Sequence, residues 1–115
     1  MALKPETVDV TVGETTYTLV PNLSAATAIA ASLNGPLAAL DGLRGLNIIT
    51  ITSVVAAGAS LGRKEAEGLA EAIYNSGKMT EIAGDCVEFC MLLMNGGKRD
   101  EPKEAAGKKS EAAKS

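Results

Sequence analysis

The stretch T-E-I-A-G-D-C-V-E-F-C-M-L-L-M-N, Thr80 to Asn95, is the most apolar helix-length segment of the chain. At about 100° per residue, Met79, Ile82, Cys86, Phe89, Cys90 and Leu93 fall on one arc, the stripe that a core-packing helix needs. Thr80, Gly84, Val87, Met91 and Met94 form a second stripe, and Glu81, Asp85 and Glu88 are confined to a narrow ridge between the two. A helix apolar over most of its circumference is either central in its domain or shared with a partner. The first reading makes both stripes core. The second makes Val87, Met91 and Met94 a partner-binding face, since unbranched Met side chains adapt to irregular surfaces.

Working outward, 115 residues suffice for one domain with a modest core. With no His or Trp, two Tyr and one Phe, that core is built largely from Ala, Leu, Ile, Val and Met. The expected domain is 1–97, followed by a charged tail over 98–115. The body holds 5 basic and 10 acidic groups and the tail 6 basic and 4 acidic, so a body of net charge -5 precedes a tail of +2. An acidic body repels phosphate backbones, which argues against nucleic acid as a partner. The tail has no large apolar residue with which to offset its ordering entropy and reads as disordered.

The elements before the apolar helix read in order. Val8, Val10 and Val12 alternate with Asp9 and Thr11, and Tyr17 and Leu19 alternate with Thr16 and Thr18, a hairpin signal with Gly13 at the turn. Pro21 ends the second strand. Asn22 or Ser24 caps a helix to about Leu33, with Ala26, Ile29, Ala30 and Leu33 inward. Pro36 opens a short helix to about Leu43 that presents Leu37, Leu40 and Leu43 inward. Ile48, Ile49 and Ile51 form a β-branched cluster compatible with a short strand, but Thr50 or Thr52 is also a good cap, and the favoured reading is a loop and then a helix from about Thr52 to Ser60, with Ile51, Val54, Val55 and Gly58 inward. Arg63 to Ser76 reads as one amphipathic helix, closed by Gly77. The expected fold class is therefore α+β: an N-terminal β-hairpin followed by four to five short helices in one compact domain.

Little in the sequence points to catalysis. Without His the usual general base at neutral pH is missing, and the carboxylates are spread over helix exteriors. Gly58-Ala-Ser-Leu-Gly62-Arg63-Lys64 lacks the Walker spacing and reads instead as close helix packing and a helix stop. Cys86 and Cys90, one helical turn apart, are poorly placed for a disulfide and make only half a metal site; they read as buried free thiols in a reducing compartment. No catalytic residue, cofactor or metal is expected. Met1 to Thr7 lacks the apolar segment of a signal peptide, and the uncharged stretches Thr15 to Leu40 and Gly45 to Gly62 are too interrupted or too polar for membrane spans. The expectation is a cytoplasmic protein with no membrane partner.

The order of elements also resembles a family. A hairpin ending in Tyr17-Thr18-Leu19-Val20-Pro21, a helix from Asn22-Leu23-Ser24, the break Gly35-Pro36-Leu37 with Leu40 and Leu43, the Ile51-x-x-Val54-Val55-x-x-Gly58 segment, Gly77, and the closing Leu92-Leu93-Met94-Asn95-Gly96-Gly97 are similar to the phage tail assembly chaperones of the gene-transfer-agent type. The resemblance covers roughly residues 7 to 97. It implies a small non-enzymatic protein of the host bacterial cytoplasm that coats the tape measure protein, helps to bring tail tube protein to it, and is absent from the finished particle. A weak homo-oligomer is compatible with that role. The alternative is a structural virion tail protein, a completion or tube component, using the same helix for permanent self-assembly.

Overall fold

The computed structural model describes residues 6–98. Apart from Lys98, the charged tail lies outside the described residues, as do the first five positions on which the signal-peptide reading partly rests. The element order is β1 (Val8–Val12), β2 (Thr15–Leu19), α1 (Leu23–Leu33), α2 (Pro36–Arg44), α3 (Ile48–Gly58), α4 (Arg63–Ala66), α5 (Leu69–Ser76) and α6 (Met79–Met94). This is an α+β fold in one compact globule, with an antiparallel hairpin followed by helices.

Alternation builds the hairpin. Val8, Val10, Val12 and Leu19 are buried on one face, while Asp9, Thr11, Thr16 and Thr18 are exposed on the other. The register pairs Val8 with Leu19 and Val10 with Tyr17. On the outer face Thr18 Oγ1 donates to Asp9 Oδ1 at 2.9 Å, and the Thr11 and Thr16 hydroxyls lie 3.1 Å apart. Gly13 takes φ 63 at the two-residue turn, a conformation that costs glycine least. Two strands alone are marginal in water, and here the valine face lies on α6 and α5 while β2 lies on α3.

Three local readings in α1 to α3 are corrected, and a fourth, the single helix from Arg63 to Ser76, below. In α1 the buried residues are Ala25 and Ile29, with Ala26 and Leu33 at the margin and Ala30 exposed; Ala30 sits about 100° round the helix from Ile29. In α2, Ala39, Leu40 and Leu43 are buried, but Leu37 is 70% exposed; it lies about 110° from the centre of the face those three define. Third, α3 begins at Ile48 rather than Thr52. Asn47 is its cap, with Oδ1 accepting from Ile49 N at 2.9 Å and Thr50 N at 3.3 Å, while Thr52 Oγ1 donates back to Ile48 O at 2.7 Å. Replacing Asn47 with Ala is expected to lower stability by about 1 kcal/mol in urea unfolding. Thr52→Ala, which removes no cap, serves as the control and should change stability by less than half as much.

The run from Arg63 to Ser76 is divided at Glu67-Gly68 into the single turn α4 and the helix α5. Its faces are as the amphipathic pattern requires: Leu69 and Ile73 are buried, and Arg63, Lys64, Glu67 and Glu71 are exposed. Gly77 closes α5 at φ 70. The inward stripe of α3, Ile51, Val54, Val55 and Gly58, is buried throughout. Beyond it Leu61 N donates to Ala56 O at 2.9 Å and Ser60 takes φ 57, the Schellman arrangement that stops a helix.

Helices α3 and α6 are the two central elements. Each packs against α2, α5 and the hairpin, and they also pack on each other. Among the described residues no single helix is long and apolar enough to cross a membrane; the pair α1 and α2 is so by length and composition together, but is bent by 65° at its break.

Candidate partner-binding surface

The second stripe of α6 leaves two methionines exposed; Leu23, Leu37, Ile49 and Tyr74, each on another element, are exposed as well. The core arc holds Ile82, Cys86, Phe89 and Cys90 fully buried, with Met79 and Leu93 partly buried against it. Ala83 and Leu92 are also buried, so the covered arc is broader than the periodicity alone indicates. On the opposite arc Met91 is 53% exposed and Met94 44% exposed, Thr80 and Gly84 are exposed, and Val87 is half-buried with its inner side on the core. Val87 and Met91 are one turn apart, as are Met91 and Met94, so the three make a continuous strip about two turns long.

The strip has a charged border. Glu81 is exposed, while Asp85 and Glu88 are half-buried, and the three follow one another at helical spacing beside Gly84 and Met91. Lys78 Nζ lies 3.7 Å from Glu81 at the start of the ridge, an exposed pair of small energetic weight. Partial burial holds the Asp85 carboxyl above its ordinary range, and the neighbouring Glu88 and Glu81 charges push it further the same way. A raised value means that the charged form is disfavoured in the folded state. That cost is fully present above the folded value, shrinks as pH falls through it, and is gone below the unfolded value, where both states are protonated. Asp85→Asn is therefore expected to raise the melting temperature at pH 7, with the gain shrinking towards zero below about pH 4; an equal gain at both pH values would contradict this cause.

At its C-terminal end α6 meets the start of α1. The helix stops where Gly96 takes φ 68 and Gly97 N donates to Leu92 O at 2.7 Å. A Cβ on Gly97 would lie 2.7 Å from Pro21 O, so only glycine lets the two segments approach this closely. Pro21, Asn22, Leu23, Ala26, Leu93, Gly96 and Gly97 line an open cavity of about 400 Å³. It is mainly apolar and contains no carboxylate. Leu23, 81% exposed on its rim, was not singled out by sequence reasoning; the cavity joins positions some 70 residues apart, and no local pattern reports that.

Both cysteines are free and buried beneath the strip. Burial raises the Cys90 thiol to about 11 and raises Cys86 further, where Cys90 and Asp85 add to the effect. Both are protonated at neutral pH and behave as small hydrophobes. Among the described residues no group of three or more His, Cys, Asp or Glu side chains is placed to hold a metal ion.

Comparison of the chain with protein-family models, with curated proteins and with solved structures finds no match in any of the three.

Proposed function

We propose that this chain is a non-enzymatic phage or prophage tail assembly chaperone, acting in the host bacterial cytoplasm, that binds the tape measure protein through Val87, Met91 and Met94 and assists assembly of tail tube protein around it. The observation that carries the reading is the exposure of Met91 and Met94 on a central helix whose other side is fully packed. Two adaptable thioethers beside a half-buried valine form an apolar strip about two turns long, suited to repeated, moderate binding of helical segments. The identity of the client comes from the resemblance of residues 7 to 97 to tail assembly chaperones of the gene-transfer-agent type.

Co-expression with the tape measure protein of the same genome tests it. The client should move from the pellet to the soluble fraction and co-purify with the chaperone. An unchanged client, with the chaperone folded and abundant, would contradict the proposal. Detection of this chain at stoichiometric copy number in purified particles would instead favour a structural virion tail protein.

A further inference from the structure

We propose that the cavity between the start of α1 and the end of α6 is the seat of the chain's own N-terminal segment, with the Leu3 side chain docked against Leu23, Ala26 and Leu93. The cavity is open and mainly apolar, and among the described residues no side chain fills it. Leu23, on its rim, is 81% exposed, and Leu93 is only partly buried. An apolar side chain that enters removes apolar surface from water on both itself and these walls, which favours its docking.

The place where the chain enters the described fold selects the occupant. Glu6 N donates to Gly97 O at 3.2 Å, and Gly97 is a wall of the cavity, so residues 1–5 start from its edge. Leu3 lies three residues before Glu6, a reach of at most about 10 Å. Pro5 has a fixed φ and biases Lys4 towards an extended backbone, so few conformations are lost when the segment docks. Along an extended backbone neighbouring side chains point to opposite sides, which lets Leu3 face the cavity while Lys4 faces water. The other segment that leaves from this edge, residues 99–115, contains no apolar side chain larger than those of Ala and Pro. A leucine from another molecule offers the same chemistry, but one tethered at Gly97 competes at an effective concentration on the order of millimolar.

Nuclear Overhauser spectra of the full chain, isotope-labelled at the leucine methyls, test the seat directly. Contacts from the Leu3 methyls to those of Leu23 or Leu93 are expected. Leu3→Asp should remove them and lower the melting temperature by about 4–8 °C. Leu3→Met, which keeps an adaptable apolar side chain, should retain most of the wild-type melting temperature, and Lys4→Ala should melt like wild type. A wild-type chain without these contacts overturns the proposal and leaves the cavity open to an apolar side chain of another molecule. A Leu3→Asp variant that melts within about 1 °C of wild type, or a Lys4→Ala variant that loses as much as Leu3→Asp, overturns it as well, because the Leu3 side chain would then not be what the cavity holds.

Discussion

Phe89→Ala is expected to lower the unfolding free energy by about 3–5 kcal/mol, a large share of the roughly 5–15 kcal/mol available to a domain of this size. Phe89 is the only phenylalanine of the chain and is completely buried. It sits on the inner arc of α6, and its Cζ lies 3.0 Å from where a Cβ would stand on Gly58 of α3, so the ring fills the space between the two central helices. The walls of that space belong to α3, α6 and the hairpin, which are tied to one another and cannot collapse inward without disturbing each other's packing. Urea unfolding followed by circular dichroism gives the value. A loss below about 1 kcal/mol would mean that the site collapses freely, contrary to the packing described here.

Gly58→Ala is expected to destabilise by about 2 kcal/mol, although helix propensity alone predicts a gain of up to about 1 kcal/mol for this substitution. The added methyl would stand 2.8 Å from Leu19 Cβ and 3.0 Å from Phe89 Cζ. Leu19 Cβ is bound directly to the β2 backbone, and that backbone is held to α3 by the 3.0 Å bond from Val20 N to Gly58 O. Neither neighbour can yield by a rotamer change alone. The sign of the measured change therefore separates the two effects: a rise in stability would show that propensity dominates and that strand and helix are less tightly apposed than the structure indicates. Phe89→Leu in the same background should recover only part of the loss, because the Leu19 contact remains.

What the sequence made legible follows from how local each signal is. The hairpin rests on a period of two over five residues per strand with a glycine between, and both strands form at that register. The inner arc of α6 was readable because Ile82, Cys86, Phe89 and Cys90 recur at helical spacing, and all four are fully buried or nearly so. Errors arose where two local signals competed. At the start of α3, Thr50 and Thr52 are acceptable caps by residue type, but Asn47 lies upstream with a side chain that reaches two backbone amides at once. At α2, leucine spacing alone placed Leu37 inward, whereas the packed face is centred near Leu43, between Ala39 and Leu40, and the small side chain of Ala39 lets the helix approach its neighbours. The cavity between Pro21 and Gly97 was invisible, since its walls come from residues 21–26 and 93–97, and only the folded topology joins them.

The partner-binding strip was legible as a surplus of apolar residues on α6, but periodicity could not say whether another element of the same chain covers it. Met91 and Met94 are exposed, so among the described residues no other element covers them. The most direct measurement is therefore the soluble yield of co-expressed tape measure protein with Met91→Gln in place of the wild-type chain, at matched amounts of folded protein. Since Met91 is 53% exposed, the substitution should change stability by no more than about 0.5 kcal/mol, and the account predicts that the client returns to the pellet although the variant melts like wild type. A client kept as soluble by Met91→Gln as by the wild-type chain would contradict the assignment of this face to binding.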